Sequence, residues 1–562
     1  MDEFPAELGG RDGDLAAMRS PNFYWFERKK LLDQANQHIG VLRESKRTSP
    51  MISPANARPA PRVTLDVGSI EGAEDGGVES FKGIRFAAPP TGDWRWRAPR
   101  LAQPWTGVRE AKRFGADCMQ TPFAEDMAPL LTQPAEDCLF LNAWRPAGAG
   151  PGAGLPVVVW IYGGGFVNGG ASPAVYHGNS FAKNGIVFVS FNYRIGHFGY
   201  FAFPELTRLD ADHGLLGNYG HMDQLEALRW VQRNIAALGG NPHNVTVIGE
   251  SAGGGSAVGL MTSPLAAGLF HKTIVMSGGG RGLLDGNRLV SQDTPRMPSG
   301  ETLGVRLARR HNLDGDGPAA LAALRALPAE ALAKGLNIPT LDLSRDVFSG
   351  QMLDGRILVD VTAAIASSQW AKVPVITGTT VNEVGNLAAT TKRDAWAHFG
   401  PDATAAEAAY DADGRSSLTV INANIGMDRK MHEPARFLAG AVGARGPPSY
   451  LYRFSYVASS ARHRWLAGAP HASDIPYFLG RPSATYGTSA EEADHDLARI
   501  AHQYVVNFAR HGDPNCAGLP HWDAFEQDSG RLFDFAADGR PRMATDPLRT
   551  RLDLATRRVR QP

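Results

Sequence analysis

One stretch limits the fold more than any other: Val245-Thr246-Val247-Ile248-Gly249-Glu250-Ser251-Ala252-Gly253-Gly254-Gly255. Four β-branched residues in a row favour a strand, and they run directly into G-x-S-x-G and then into small residues that open a helix. A strand turning this sharply into a helix puts its serine on strained dihedrals. Side chains on either flank would strike the neighbouring strand and helix, which accounts for Gly249 and Gly253. The Ser251 hydroxyl then stands clear of the sheet, and the amides from Ala252 onward lie at a helix N-terminus, where they can face an anion. A lone G-x-S-x-G arises by chance in many proteins. The strand before it and the helix after it give it mechanical meaning.

The surrounding pattern agrees. Short apolar runs at 157–161, 186–192, 245–248, 273–276, 373–377 and 450–456 show little polar alternation, as strands buried on both faces do. Between two of them Leu225, Leu228, Val231, Ile235 and Leu238 repeat at helical spacing, predicting a helix with one apolar stripe. The class is α/β, with a large, mostly parallel central sheet covered by helices on both faces. Residues 62–562 read as one domain. Residues 1–61 read as an extension: a helix striped through Trp25, Leu32, Ala35, Ile39 and Leu42, then a linker with Pro50, Pro54, Pro59 and Pro61.

Composition removes other classes. The 562 residues carry 57 basic and 57 acidic side chains, so no global field draws nucleic acid or an anionic surface. The longest apolar runs fall far short of the ~20 residues that a membrane span needs. No apolar signal segment follows Met1, Met18 or Met51, so the expected address is the cytoplasm.

Upstream of the elbow, Trp160-Ile161-Tyr162-Gly163-Gly164-Gly165-Phe166 carries an apolar strand into three glycines, whose uncovered amides suit a second set of oxyanion donors. Nucleophile, acid and histidine follow in that chain order in α/β hydrolases. Eight histidines lie beyond Ser251 and the acid candidates: His398, His432, His463, His471, His495, His502, His511 and His521. His502 sits in a helical pattern, whereas His471 lies on a loop against the apolar Ile475-Pro476-Tyr477-Phe478. For the acid, Glu383 follows a buried-type strand, with Asp354 and Asp360 as rivals; Asp354-Gly355-Arg356 reads as a turn. On the residues alone, base and acid both stay open.

Residues from about 63 to 533 resemble the type-B carboxylesterases, an α/β-hydrolase family that includes cholinesterases and bacterial para-nitrobenzyl esterases. Lys82-Gly83-Ile84-Arg85-Phe86-Ala87-Ala88-Pro89-Pro90, Glu136-Asp137-Cys138-Leu139-Phe140-Leu141-Asn142, Phe191-Asn192-Tyr193-Arg194, Gly217-Asn218-Tyr219-Gly220, Asp223-Gln224 and Gly239-Gly240-Asn241-Pro242 are similar to its landmarks and keep its order. The resemblance implies His471 as base, from Gly468-Ala469-Pro470-His471, and Glu383 as acid, although Asn382 and Val384 depart from the usual Asp-Glu-Gly. It also implies an oxyanion hole of Gly164, Gly165 and Ala252, an auxiliary role for Glu250, and a disulfide between Cys118 and Cys138. A disulfide fits an oxidising compartment poorly matched to the cytoplasmic expectation.

The implied activity is serine carboxylesterase hydrolysis of a small-molecule ester through an acyl-enzyme, with neither cofactor nor metal and with a monomeric or homodimeric protein. No C-x₂-C or H-E-x-x-H spacing offers metal ligands. Cholinesterases hold their cation on a tryptophan inside the loop between the paired cysteines. Between Cys118 and Cys138 this chain has Phe123 and no tryptophan, which argues against choline esters. Two rivals are a non-catalytic interaction module, which would have lost triad residues retained here, and a long-chain lipase.

Overall fold

A computed structural model describes residues 59–281, 286–295, 297–340 and 348–560. The helix expected within residues 22–42 and most of the proline-rich linker lie outside the described residues. Ala60–Pro122 and Met127–Pro562 cluster as one compact unit.

Its strands, in chain order, are β1 (Arg62–Leu65), β2 (Gly68–Glu71), β3 (Ala73–Asp75), β4 (Val78–Arg85), β5 (Val108–Glu110), β6 (Phe140–Pro146), β7 (Leu155–Ile161), β8 (Val187–Phe191), β9 (Gly240–Glu250), β10 (Lys272–Met276), β11 (Val375–Thr380), β12 (Ser449–Phe454), β13 (Arg531–Phe535) and β14 (Arg542–Thr545). Eleven of them form one sheet in the order β14-β13-β12-β11-β10-β9-β7-β8-β6-β4-β3, while β1, β2 and β5 form a small separate sheet. The seven strands from β13 to β8 pair in parallel, and the antiparallel pairs lie at the two ends. All six expected strands are present, with ends shifted by a few residues.

The middle of the sheet is apolar on both faces. Val157, Val158, Val159, Ile248, Ile274 and Val275 are fully buried, each contributing about 1.5–3 kcal/mol relative to exposure. The helix Tyr219–Asn234 starts six residues before the first residue of the expected stripe, and its first turns are buried on polar side chains as well. Asp223 pairs with Arg194 at 2.7 Å, and Gln224 donates to Ser256 Oγ at 2.9 Å. Ser256 belongs to the helix Ala252–Thr262, so this packing fixes the helix that follows Ser251. Periodicity could not show this contact because the partners are polar.

Candidate active site

The candidate residues leave the sheet at one edge, the carboxyl ends of neighbouring parallel strands, where open α/β sheets place their ligands. β7 leads to the glycine turn, β9 to Ser251, β10 to Ser277, β11 to Glu383, and β12 to the loop bearing His471.

Ser251 has φ 55° and ψ −120°, a strained conformation held by its N–H donating to the Met276 carbonyl at 2.9 Å. A Cβ on Gly253 would collide with the Ile161 carbonyl of β7, and one on Gly249 with the Gly253 carbonyl. A Cβ on Gly163 would lie 2.8 Å from Glu250 Oε2 and 3.0 Å from Ser251 Cβ. Elbow and glycine turn therefore meet at the Glu250 and Ile161 carbonyls, with the Glu250 and Ser251 side chains also against Gly163. Gly164 and Gly165 adopt φ of 114° and 60°, and among the described residues their N–H groups have no acceptor in the protein. Ala252 opens its helix, so its amide has no carbonyl one turn back. The three expected oxyanion donors are thus uncommitted.

Glu383 is buried and accepts at both oxygens. Oε1 receives Ser277 Oγ at 2.5 Å, Thr380 N at 2.9 Å and Thr380 Oγ1 at 3.1 Å, and Oε2 lies 2.5 Å from His471 Nδ1. Burial alone would raise its pKa, but the His471 charge and these hydrogen bonds hold it down at about 2. The two loops are tied by backbone: Asn382 N–H donates to the Ala469 carbonyl, and His471 N–H to the Asn382 carbonyl, each at 2.9 Å. The departure from the family motif at Asn382 thus falls where the main chain makes the contacts. The rival carboxylates are used elsewhere. Asp354 accepts three amides of its own turn, and Asp360 caps the helix Val361–Ala366. His502 lies in the helix Glu492–His511 with Nδ1 2.9 Å from the Phe478 carbonyl, a core role.

His471 is 19% exposed, so a substrate can reach its ring. Its Nε2 lies 3.3 Å from Glu250 Oε1, although the contact lacks hydrogen-bond geometry and Oε1 has no partner. No hydrogen bond joins His471 to Ser251 Oγ, a contact that tightens in the Michaelis complex of such enzymes. Burial would lower the His471 pKa, yet the Glu383 and Glu250 carboxylates raise it to about 9. Burial pushes Glu250 to about 8, with the His471 charge opposing that rise.

Two participants escaped the sequence reading. Ser277 anchors Glu383 from 106 residues upstream, and its only local signal is a strand end running into Gly278-Gly279-Gly280. Asp474 is fully buried, accepts Tyr452 OH at 2.7 Å, and is pushed by burial to about 6. Its proximity to His471 in sequence was the available signal. Cys118 and Cys138 are both buried as free thiols rather than the implied disulfide. The Cys118 thiol instead donates to the Tyr193 carbonyl at 3.0 Å. Among the described residues no group of side chains could hold a metal ion, and no helix is long and apolar enough to cross a membrane.

A family model described as "Carboxylesterase family" matches residues 59–419 and 409–554. The chain belongs to the carboxylesterase family. It is 34% identical to a fumonisin B1 esterase of Sphingopyxis macrogoltabida, over 84% of this chain and 85% of the relative. It is 31% identical to the para-nitrobenzyl esterase of Bacillus subtilis, covering 83% and 93% respectively. A solved structure of PNB esterase superposes with a TM-score of 0.73 at 27% identity, over 88% of this chain and 99% of that one. This carboxylesterase is a carboxylic-ester hydrolase with the α/β-hydrolase fold.

Proposed function

We propose that this carboxylesterase works through Ser251, His471 and Glu383, passing through an acyl-enzyme. The observation that carries the reading is the 2.5 Å contact between His471 Nδ1 and Glu383 Oε2 beside a serine held at positive φ. Glu383 keeps a proton on Nδ1, leaving Nε2 free to accept the Ser251 proton during attack on the ester carbonyl. Gly164, Gly165 and Ala252 donate to the developing oxyanion, and losing one such donor typically costs about 3–4 kcal/mol. His471 then returns the proton to the leaving alcohol, and water repeats the sequence with the acyl-enzyme. A fluorophosphonate probe should label the native protein on Ser251 alone, read by peptide mass spectrometry. An unlabelled Ser251 would return the protein to the non-catalytic reading.

The substrates we infer are small esters with short acyl groups. The relatives' names speak of fumonisin B1 and para-nitrobenzyl esters, which leaves the alcohol side open. Para-nitrophenyl esters from acetate to hexanoate should turn over faster than laurate or longer. A profile climbing steadily to palmitate would favour a lipase.

Glu250 is assigned the role of tuning the base. Burial raises the Glu250 pKa to about 8, and where the carboxyl is ionised its charge beside Nε2 raises the His471 pKa and stabilises the imidazolium formed in the transition state. Activity requires neutral His471, so it rises with pH through that pKa. Removing the charge should lower the pKa and move the acidic limb of the kcat profile to lower pH. For Glu250→Gln we expect that shift, a kcat reduced about tenfold for each pKa unit of lost stabilisation, and an unchanged melting temperature. A wild-type profile with full kcat would make Glu250 part of the scaffold only.

A further inference from the structure

The acid loop rests on a sulfur atom. Glu383 N–H donates to Met427 Sδ at 3.1 Å, and among the described residues it has no other acceptor. Met427 ends the helix Leu418–Met427, which continues as the π-helix Asp428–His432. Just past Glu383 the loop and this helix meet without a gap. A Cβ on Gly385 would collide with the Gly426 carbonyl, and one on Gly426 with the Asn386 amide. A change at Met427 therefore passes to the acid loop through main chain.

The same side chain borders a cavity of about 250 Å³ behind the loop, lined also by the exposed Ala467, Thr545 and Pro547, so small solutes can enter it from solvent. Met427 keeps 8% exposure, whereas Met431, one turn further on, is 1% exposed and is not part of that wall. At roughly 30 Å³ per water the cavity admits a small hydroperoxide and has room for an added oxygen. A thioether is among the groups that such an oxidant converts, giving a polar sulfoxide.

We propose, on the reading of Glu383 as the acid that orients His471, that Met427 is an oxidation site through which a hydroperoxide lowers the esterase activity. A sulfur lone pair attacks the terminal oxygen of the hydroperoxide. The S–O bond forms as the O–O bond breaks, sulfur gives up two electrons, and the proton on the transferred oxygen passes to the departing one. The products are the sulfoxide and an alcohol, or water when the oxidant is hydrogen peroxide. The sulfoxide accepts through its oxygen, one bond beyond the sulfur, so the Glu383 N–H either moves to follow it or loses its acceptor. Both displace the Glu383 carboxyl from His471 Nδ1, 2.5 Å away before oxidation. Met427 is thus a positioning residue.

The test treats the full-length enzyme with hydrogen peroxide and follows para-nitrophenyl butyrate turnover alongside peptide mass spectrometry. Loss of kcat should track the sulfoxide on Met427, not those on the half-buried Met119 and Met543, and should reach about tenfold or more. The acidic limb of the remaining kcat profile should move to lower pH, because a displaced Glu383 no longer raises the His471 pKa and leaves that to Glu250 and Asp474. Simple loss of folded protein would lower the rate without moving that limb. Met427→Leu keeps the apolar bulk without the acceptor. It should start several-fold slower than the parent and lose nothing further to peroxide. Full kcat with Met427 oxidised, a Met427 that stays unoxidised, an unmoved limb, or undiminished peroxide sensitivity in Met427→Leu would each overturn the proposal. None of these touches the acid assignment, which falls only if untreated Glu383→Gln keeps its rate.

Discussion

Ser251→Ala should lower kcat for para-nitrophenyl butyrate by about 10⁶-fold, the scale seen when a serine nucleophile is removed. The variant should still fold, because alanine occupies the same strained turn with the same backbone bond to Met276. Residual turnover of about 10³–10⁴-fold over water would reflect the oxyanion amides and binding alone. Wild-type rates in a preparation shown free of contaminating esterase would end the assignment.

Glu383→Gln is the second large effect, and its direction follows from the hydrogen bonds. Oε1 of Glu383 receives two hydroxyls and an amide N–H, from Ser277 and Thr380. A glutamine must turn its carbonyl oxygen to those donors, which leaves its NH₂ facing His471 Nδ1. The imidazole then has to accept at Nδ1 and carry its proton on Nε2, where it cannot take one from Ser251. Loss of about 10⁴-fold in kcat is expected from such an inverted tautomer. Unimpaired Glu383→Gln would mean that another carboxylate orients the base.

The sequence was most legible where the chain is buried on both faces. Val157–Val159 and Val245–Ile248 could only be core strands, and the structure puts them side by side in the sheet. β13 and β14 escaped because their residues alternate or are exposed at the sheet end, for example Arg531 and Arg542. In the site, Ser251 was readable because its turn imposes glycines within two residues of it. Glu383 and His471 could be named only through a family likeness, since the contact joining them spans 88 residues and leaves no local periodicity. Ser277 and Asp474 show the limit. Each makes its side-chain bond to a residue distant in sequence, and the local signals, a strand end before Ser277 and His471 three residues before Asp474, do not name the partner.

The meeting of Gly163 with Glu250 and Ser251, and of Gly253 with Ile161, has a consequence for anyone who would redesign this enzyme. At Gly253 the main chain of the other segment already fills the space, and at Gly163 the Glu250 carbonyl fills it together with the Glu250 and Ser251 side chains. A substitution at either glycine meets a carbonyl, of Glu250 at Gly163 and of Ile161 at Gly253, that no trimming of a neighbouring side chain removes. Libraries aimed at new substrates should hold residues 161–165 and 249–254 constant. Variation is better spent on segments that reach the cleft through side chains, where size can be traded between partners. Lineages under selection face the same restriction, and along them the two segments should be inherited as one piece.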